Sequence, residues 1–95
     1  AGVFRGTLAL IHSQREEHSL AIDALAKGEP LVQRNLFEYG KFLCKKVRVH
    51  FAMKDLAGSK EALQKAVDIE GELQTGANSE LGRAIQQMQW LVSGL

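Results

Sequence analysis

The chain has 95 residues, of which 45% are hydrophobic and 24% are charged, and its formal net charge is +1. These values are ordinary for a folded globular chain, and they exclude an intrinsically disordered protein. The length predicts a single domain over residues 1–95 with a small core, which disfavours an enzyme with a deep cleft. Because the chain begins at Ala1 rather than Met, either the initiator was removed or the domain was cut from a longer protein.

The cysteine count and the apolar runs restrict the compartment. A single cysteine, Cys44, excludes an intramolecular disulfide framework and favours the cytoplasm or another reducing compartment. The longest uninterrupted apolar run, residues 8–11, is too short for a transmembrane helix or for the apolar region of a signal peptide.

In the first segment, residues 4–25, a mainly apolar stripe recurs at alternating spacings of four and three residues, which is typical of a helix. A run of polar residues interrupts this stripe. Ser13 and Glu16 match a capping box inside that run, so we expect either one helix or a helix that restarts there. The alternative is a short strand over residues 3–11, paired with residues 46–51, where polar and apolar residues alternate. That alternative gives an α+β domain with a two-stranded ribbon.

The remaining segments indicate helices. Gly28-Glu29-Pro30 is the clearest break, since Gly suits the position after one helix and Pro suits the first turn of the next. Residues 30–53 are then predicted as a second helix, and residues 59–74 and 81–95 as a third and a fourth. No internal repeat is evident. The sequence predicts an all-α fold, an antiparallel bundle of about four helices.

Patterns that would indicate an enzyme or a metal site are absent from the sequence. It has no Glu-x-x-His motif, no Cys-x-x-Cys pair, no Gly-x-Ser-x-Gly and no glycine-rich phosphate loop. We therefore expect no metal, no cofactor and no catalytic residue. Cys44 has two interpretations: neighbouring lysines would activate an exposed thiol, whereas its place beside the apolar stripe predicts a small buried residue.

His18 raises a signalling alternative. His18-Ser19-Leu20 resembles the phosphorylated segment of histidine phosphotransfer domains, in which the modified histidine precedes a leucine on an exposed helix. The resemblance covers three residues and implies phosphorylation of His18. Ala21 and Ile22 stand where that family has lysine and glycine. The competing interpretation is a polar residue at an interrupted core position.

A basic stripe follows the side of the predicted second helix that faces away from the core. Residues 34–54 contain six basic residues and one acid, whereas residues 55–80 contain six acids and two lysines. The stripe would suit an acidic protein partner or an anionic membrane surface, and its competing interpretation is an ordinary solvated face. Nucleic acid is disfavoured because no aromatic residues are interleaved with the cations. The stripe consists of Arg34, Lys41, Lys45 and Arg48.

Trp90 is the second feature that indicates an interaction. It points roughly 150° away from the apolar stripe of the last predicted helix, next to Arg83. Exposed tryptophan is enriched at binding hot spots, although another helix could also cover it. The sequence therefore predicts a non-enzymatic protein–protein interaction domain, such as an adaptor, a chaperone-like module or an oligomerisation module. The alternatives are histidine phosphotransfer and peripheral binding to anionic membranes through the basic stripe.

Overall fold

The computed structural model describes residues 2–74, 76 and 79–93, and the side chains from Arg5 onward within them. All regular structure in these ranges is helical. The all-α prediction is confirmed, but there are five helices rather than about four. The alternative ribbon is wrong, because residues 3–11 and 46–51 both lie inside helices. The helices are α1 (Gly2–Gln14), α2 (His18–Val32), α3 (Leu36–Ala52), α4 (Leu56–Leu73) and α5 (Glu80–Ser93).

The additional helix arises because the first predicted segment divides between α1 and α2. The predicted capping box is wrong, since Ser13 is a buried residue inside α1. Glu16 instead adopts a left-handed conformation with φ of 60°, and the Glu17 amide donates to the His12 carbonyl at 2.8 Å. This closure satisfies the free carbonyls at the end of α1 and reverses the chain after one short turn.

The second predicted break lies in the wrong place. Gly28 is buried within α2, and Pro30 occupies the last turn of the same helix. Proline has no amide hydrogen to donate, so near a helix end it removes one hydrogen bond without stopping the chain from completing the turn. The actual break is at residues 33–35, where the Asn35 side chain caps α3 by accepting from the Glu38 amide at 3.1 Å.

The helices stack in two layers with α3 in the centre. The α1–α2 hairpin packs against α3, and α3 pairs with α4 in a second hairpin against which α5 packs. Within the described ranges, α1 and α2 make no backbone-level contact with α4 or α5. The molecule measures 35 × 32 × 18 Å, and its short dimension matches two layers of helices spaced by about 8–10 Å.

Two separate apolar cores meet at α3. Consecutive residues of this helix belong to different cores: Phe42 packs with α1 and α2, while Leu43 packs with α4 and α5. Both are at most 2% exposed. The first core consists of Ala9, Ala21, Ala24, Leu25, Val32, Phe42 and Val49. The second includes Leu43, Cys44, Val47, Ala62, Ala66, Ile69, Leu81, Ile85, Met88 and Val92.

The two hairpins close in the same way. Lys54 adopts a left-handed conformation with φ of 62°, as Glu16 does, and the Asp55 amide donates to the His50 carbonyl at 2.9 Å. Each turn also pairs a histidine with the carboxylate five residues later. His12 Nδ1 lies 3.0 Å from Glu17 Oε1, and His50 Nδ1 lies 2.9 Å from Asp55 Oδ2. Adding 38 to each number in the first turn gives its counterpart in the second.

The same shift of 38 aligns the second helices of the hairpins. It places Asp23–Lys27, with the sequence DALAK, on Glu61–Lys65, with the sequence EALQK. The acid and the lysine of each segment are four residues apart and approach to 3.0 Å in α2 and 4.0 Å in α4. The expectation of no internal repeat is therefore wrong, because the chain contains a duplicated helical hairpin.

The first helices of the two hairpins are α1 and α3. Helix α5 takes the position that the first helix of a third hairpin would have. It packs against α3 and α4 as α3 packs against α1 and α2. Aligning Gly82 with Gly40, a shift of 42, places Arg83 on Lys41 and Trp90 on Arg48. The first helices α1, α3 and α5 therefore form one layer, and the second helices α2 and α4 form the other.

The pKa values of two carboxylates, those of Glu29 and Asp55, predict that the fold loses stability in acid. Burial raises the pKa of Glu29, but hydrogen bonds from Lys46 and Tyr39 outweigh burial and hold it below its ordinary value of 4.5. The backbone amide of Gly58, helped by His50, lowers the pKa of Asp55 below 3.8. A carboxylate with a lowered folded-state pKa stabilises the fold above its unfolded-state pKa, and this contribution disappears as the pH falls through the folded-state value.

We therefore expect the free energy of unfolding to decrease as the pH is lowered below about 4.5. Urea denaturation followed by circular dichroism, repeated across this pH range, measures the change. Glu29→Gln removes one of the titrating groups, so its stability should vary less steeply with pH than that of the unmodified chain. Parallel pH profiles for the two proteins would contradict the assignment of Glu29.

Candidate functional site

A groove runs along the layer of first helices, with α3 as its floor and with α1 and α5 on either side. We call it the basic groove, and its cavity measures about 240 Å³. At the Arg48 end it continues into a second cavity of about 500 Å³, the Trp90 pocket, because both cavities share Arg48, Gln87 and Met88. The residues that define the basic groove are Leu10, Lys41, Lys45, Arg48, Glu80 and Gln87. Gln86, Trp90 and Leu91 complete the pocket.

The hairpin duplication explains why these side chains share one face. The shift of 38 places Leu10 on Arg48, and the shift of 42 places Arg48 on Trp90. The shift of 42 likewise places Lys45 on Gln87. Equivalent positions of successive first helices face the same direction, so the groove is a property of the layer rather than of one helix. The basic stripe and Trp90, which the sequence offered as two surfaces, are one surface here.

The positive charge of the basic groove is distributed unevenly. Lys41 is largely compensated, since its ammonium lies 3.3 Å from Glu80 and 3.5 Å from Glu38. It also lies 5.0 Å from the centre of the Phe37 ring, a favourable cation–π distance. Lys45 donates to the Thr7 hydroxyl at 3.3 Å. Among the described residues, neither Lys45 nor Arg48 has a carboxylate partner, so the unpaired charge lies toward the Trp90 pocket.

Trp90 is strongly exposed, and none of the described helices covers it. Its exposed fraction is 79%, the largest of any large hydrophobic residue in the described ranges. Met88 is buried below it and Leu91 is partly buried beside it. Arg83 is also exposed, two helical turns earlier on the same side of α5. The interpretation that Trp90 is covered by another helix is therefore wrong.

Arg34 does not belong to the basic groove. It lies in the turn at residues 33–35, before the first residue of α3. The predicted four-residue basic stripe assumed that the helix began at Pro30, and the later start of α3 removes Arg34 from it. The three cations that remain on one face of α3 are Lys41, Lys45 and Arg48.

His18 is the first residue of α2 and is exposed, as are Ser19 and Leu20. Accessibility is required for phosphorylation, but it is also ordinary for a polar residue in the first turn of a surface helix. In the described part of the chain, no group of three His, Cys, Asp or Glu side chains is placed to hold a metal ion. None of the described helices is long and apolar enough to cross a membrane.

Cys44 lies beneath the groove, where burial raises the pKa of its thiol to about 11 and the nearby Arg48 only partly opposes that shift. We expect the folded protein at about pH 8 to react with a thiol reagent such as Ellman's reagent far more slowly than the urea-unfolded chain, because only the thiolate reacts. Similar rates for the folded and unfolded protein would contradict the burial of Cys44.

Three residues that line the basic groove or the Trp90 pocket were missed by sequence reasoning, namely Leu10, Glu80 and Leu91. They are on two different helices and have no distinctive local pattern. The 38-residue shift could have found Leu10, because it places Leu10 and Arg48 at equivalent positions. Such a signal becomes visible only when two distant segments are compared directly.

Comparison with family models found no match for this chain, and comparisons with curated proteins and with solved structures found none either. The support for a function therefore comes from the geometry of the basic groove and the Trp90 pocket.

Proposed function

We propose that the chain is a protein–protein interaction domain that binds its partner along the basic groove and the Trp90 pocket. The observation that supports this proposal is the 79% exposure of Trp90 beside Arg48 in a cavity continuous with the groove. Tryptophan and arginine are among the residues most enriched at binding hot spots. An apolar ring next to a cation that has no carboxylate partner among the described residues offers a partner protein both contact area and a charge to pair with.

The shape of the surface favours a polypeptide ligand over a membrane. The cations of α3 border a cavity that residues of α1 and α5 also line, so the charged surface is concave rather than flat. A narrow segment of another protein can enter the groove between them. A reducing compartment is part of this proposal, since it would keep the free Cys44 thiol from oxidising whenever the fold opens.

Selection from a displayed library of random 16-residue peptides tests this function. We expect the intact chain to enrich specific peptides, and the variant Arg48→Ala with Trp90→Ala to lose them. Lys27→Ala with Leu31→Ala is the matched control, because it removes one exposed cation and one exposed apolar residue from α2 in the other layer. The control should retain binding.

Two outcomes would oppose the proposal. One is selection that yields no specific peptide, and the other is peptide binding that survives in the Arg48→Ala, Trp90→Ala variant. Acid-labile phosphate on His18 after incubation with a phosphodonor would instead support the phosphotransfer alternative. Sedimentation with anionic vesicles that depends on Lys45 and Arg48 would support the membrane alternative.

A further inference from the structure

We infer that the ligand of this surface is an acidic protein segment carrying one large apolar side chain, with its carboxylates at Lys45 and Arg48 and its apolar group in the Trp90 pocket. This inference rests on the proposed function and names the chemistry of the partner. It depends on the charge distribution along the groove, on the composition of the pocket and on the distance between the two.

The charge distribution determines where an acidic group binds. At one end of the groove, Glu38 and Glu80 already form ion pairs with Lys41, so a ligand carboxylate there would compete with two carboxylates of the chain. In the described ranges, Lys45 and Arg48 face no such competition. They lie one helical turn apart on α3, which corresponds to about 4.5 Å of rise. Two neighbouring carboxylates of a ligand can therefore be matched at once, and charge-assisted hydrogen bonds are the stronger kind.

The composition of the Trp90 pocket determines the second property of the ligand, its large apolar side chain. Its walls are mostly apolar, with Met88 at the base and with Trp90 and Leu91 at the side. A polar group placed there could hydrogen-bond to Arg48, Gln86 or Gln87, but it would not cover the apolar surface that makes up most of the lining. A leucine-sized or aromatic side chain would instead cover the exposed ring of Trp90. Because Arg48 borders both cavities, the apolar side chain of the ligand must be close in sequence to its acids.

Trp90 is the only tryptophan of the chain, so its fluorescence reports on the pocket directly. The probe is an acetylated and amidated decapeptide with two glutamates on each side of a central leucine and with glycine elsewhere. Its partner probes replace the four glutamates by glutamine, or the leucine by alanine. We expect the glutamate peptide to shift the emission of Trp90 to the blue in a saturable manner. The glutamine peptide should bind at least about tenfold more weakly, and the alanine peptide should cause little shift.

Charge reversal supplies the sharper comparison. The variant Lys45→Glu with Arg48→Glu should lose the glutamate peptide and bind a peptide in which lysine replaces every glutamate. This exchange of preference requires a folded groove, so it separates a specific effect from unfolding. Arg15→Glu is the control, since it makes the same kind of charge change in the exposed turn after α1. The control variant should keep the affinity and the emission shift of the unmodified chain.

The outcomes distinguish this inference from the proposed function. Equal binding of the glutamate and glutamine peptides, or no emission shift with either, overturns the acidic ligand. If the displayed library nevertheless yields peptides that depend on Trp90, the interaction function stands and the ligand has a different chemistry. Exchange of preference in the charge-reversed variant, together with weaker glutamate binding at high salt, supports the inference because salt screens exposed charges.

Discussion

Replacing Phe42 with alanine is expected to lower the free energy of unfolding by about 3–5 kcal/mol. Phe42 is 2% exposed and belongs to the core that joins the α1–α2 hairpin to α3. Its removal leaves a cavity at the junction of three helices, and small domains have only about 5–15 kcal/mol of stability in total. Urea denaturation followed by circular dichroism at 222 nm measures the change.

Trp90→Ala is the control for that experiment, because it also removes an aromatic ring but from a side chain that is 79% exposed. We expect its effect on unfolding to stay within about 0.5 kcal/mol, as is usual for exposed positions without structural contacts. A comparable loss of stability in both variants would contradict the two-core arrangement. So would a loss confined to Trp90→Ala.

Gly40→Ala and Gly71→Ala should change stability in opposite directions. Both residues lie inside helices, where alanine is favoured over glycine by about 0.8–1 kcal/mol. A methyl group on Gly40 would lie 2.9 Å from both terminal carbons of Leu81, so this fully buried side chain would have to shift within the packed core. Overpacking of this kind costs about 1–3 kcal/mol, and subtracting the gain in helix propensity leaves an expected net loss of up to about 2 kcal/mol at Gly40.

A methyl group on Gly71 would meet no atom within 4 Å, so Gly71→Ala should gain about 0.5–1 kcal/mol from helix propensity alone. Comparing the two substitutions cancels the effect of alanine on the unfolded chain. Denaturation midpoints measured side by side give the difference. A stabilised Gly40→Ala would mean that α5 does not approach α3 as closely as the structure shows.

The sequence predicted helices well where an apolar stripe continued without interruption. Residues 59–74 and 81–95 correspond closely to α4 and α5 over their described parts. The breaks were harder, because one residue type suits several positions. Pro30 is compatible with the last turn of α2 as well as with the first turn of a new helix. Ser13 matches a cap but is buried in α1.

The candidate site was predictable only in part. The outward direction of Trp90 and of Lys41, Lys45 and Arg48 follows from helix periodicity, which needs no knowledge of neighbouring helices. Their convergence at one groove does not follow from it, because it depends on how α5 packs against α3. Arg34 shows the opposite case: helix periodicity placed it with the cations, and the position of the helix start removed it.

The stacked hairpins also determine how this surface would grow. Each hairpin contacts only its neighbours, and each adds one first helix to the same layer. In such arrays, stability is approximately a sum of unit and nearest-neighbour contributions. An inserted copy of the α3–α4 hairpin would therefore lengthen the groove by one more set of equivalent positions without rebuilding the rest. The length of ligand that such a surface can bind would therefore increase in steps of one hairpin.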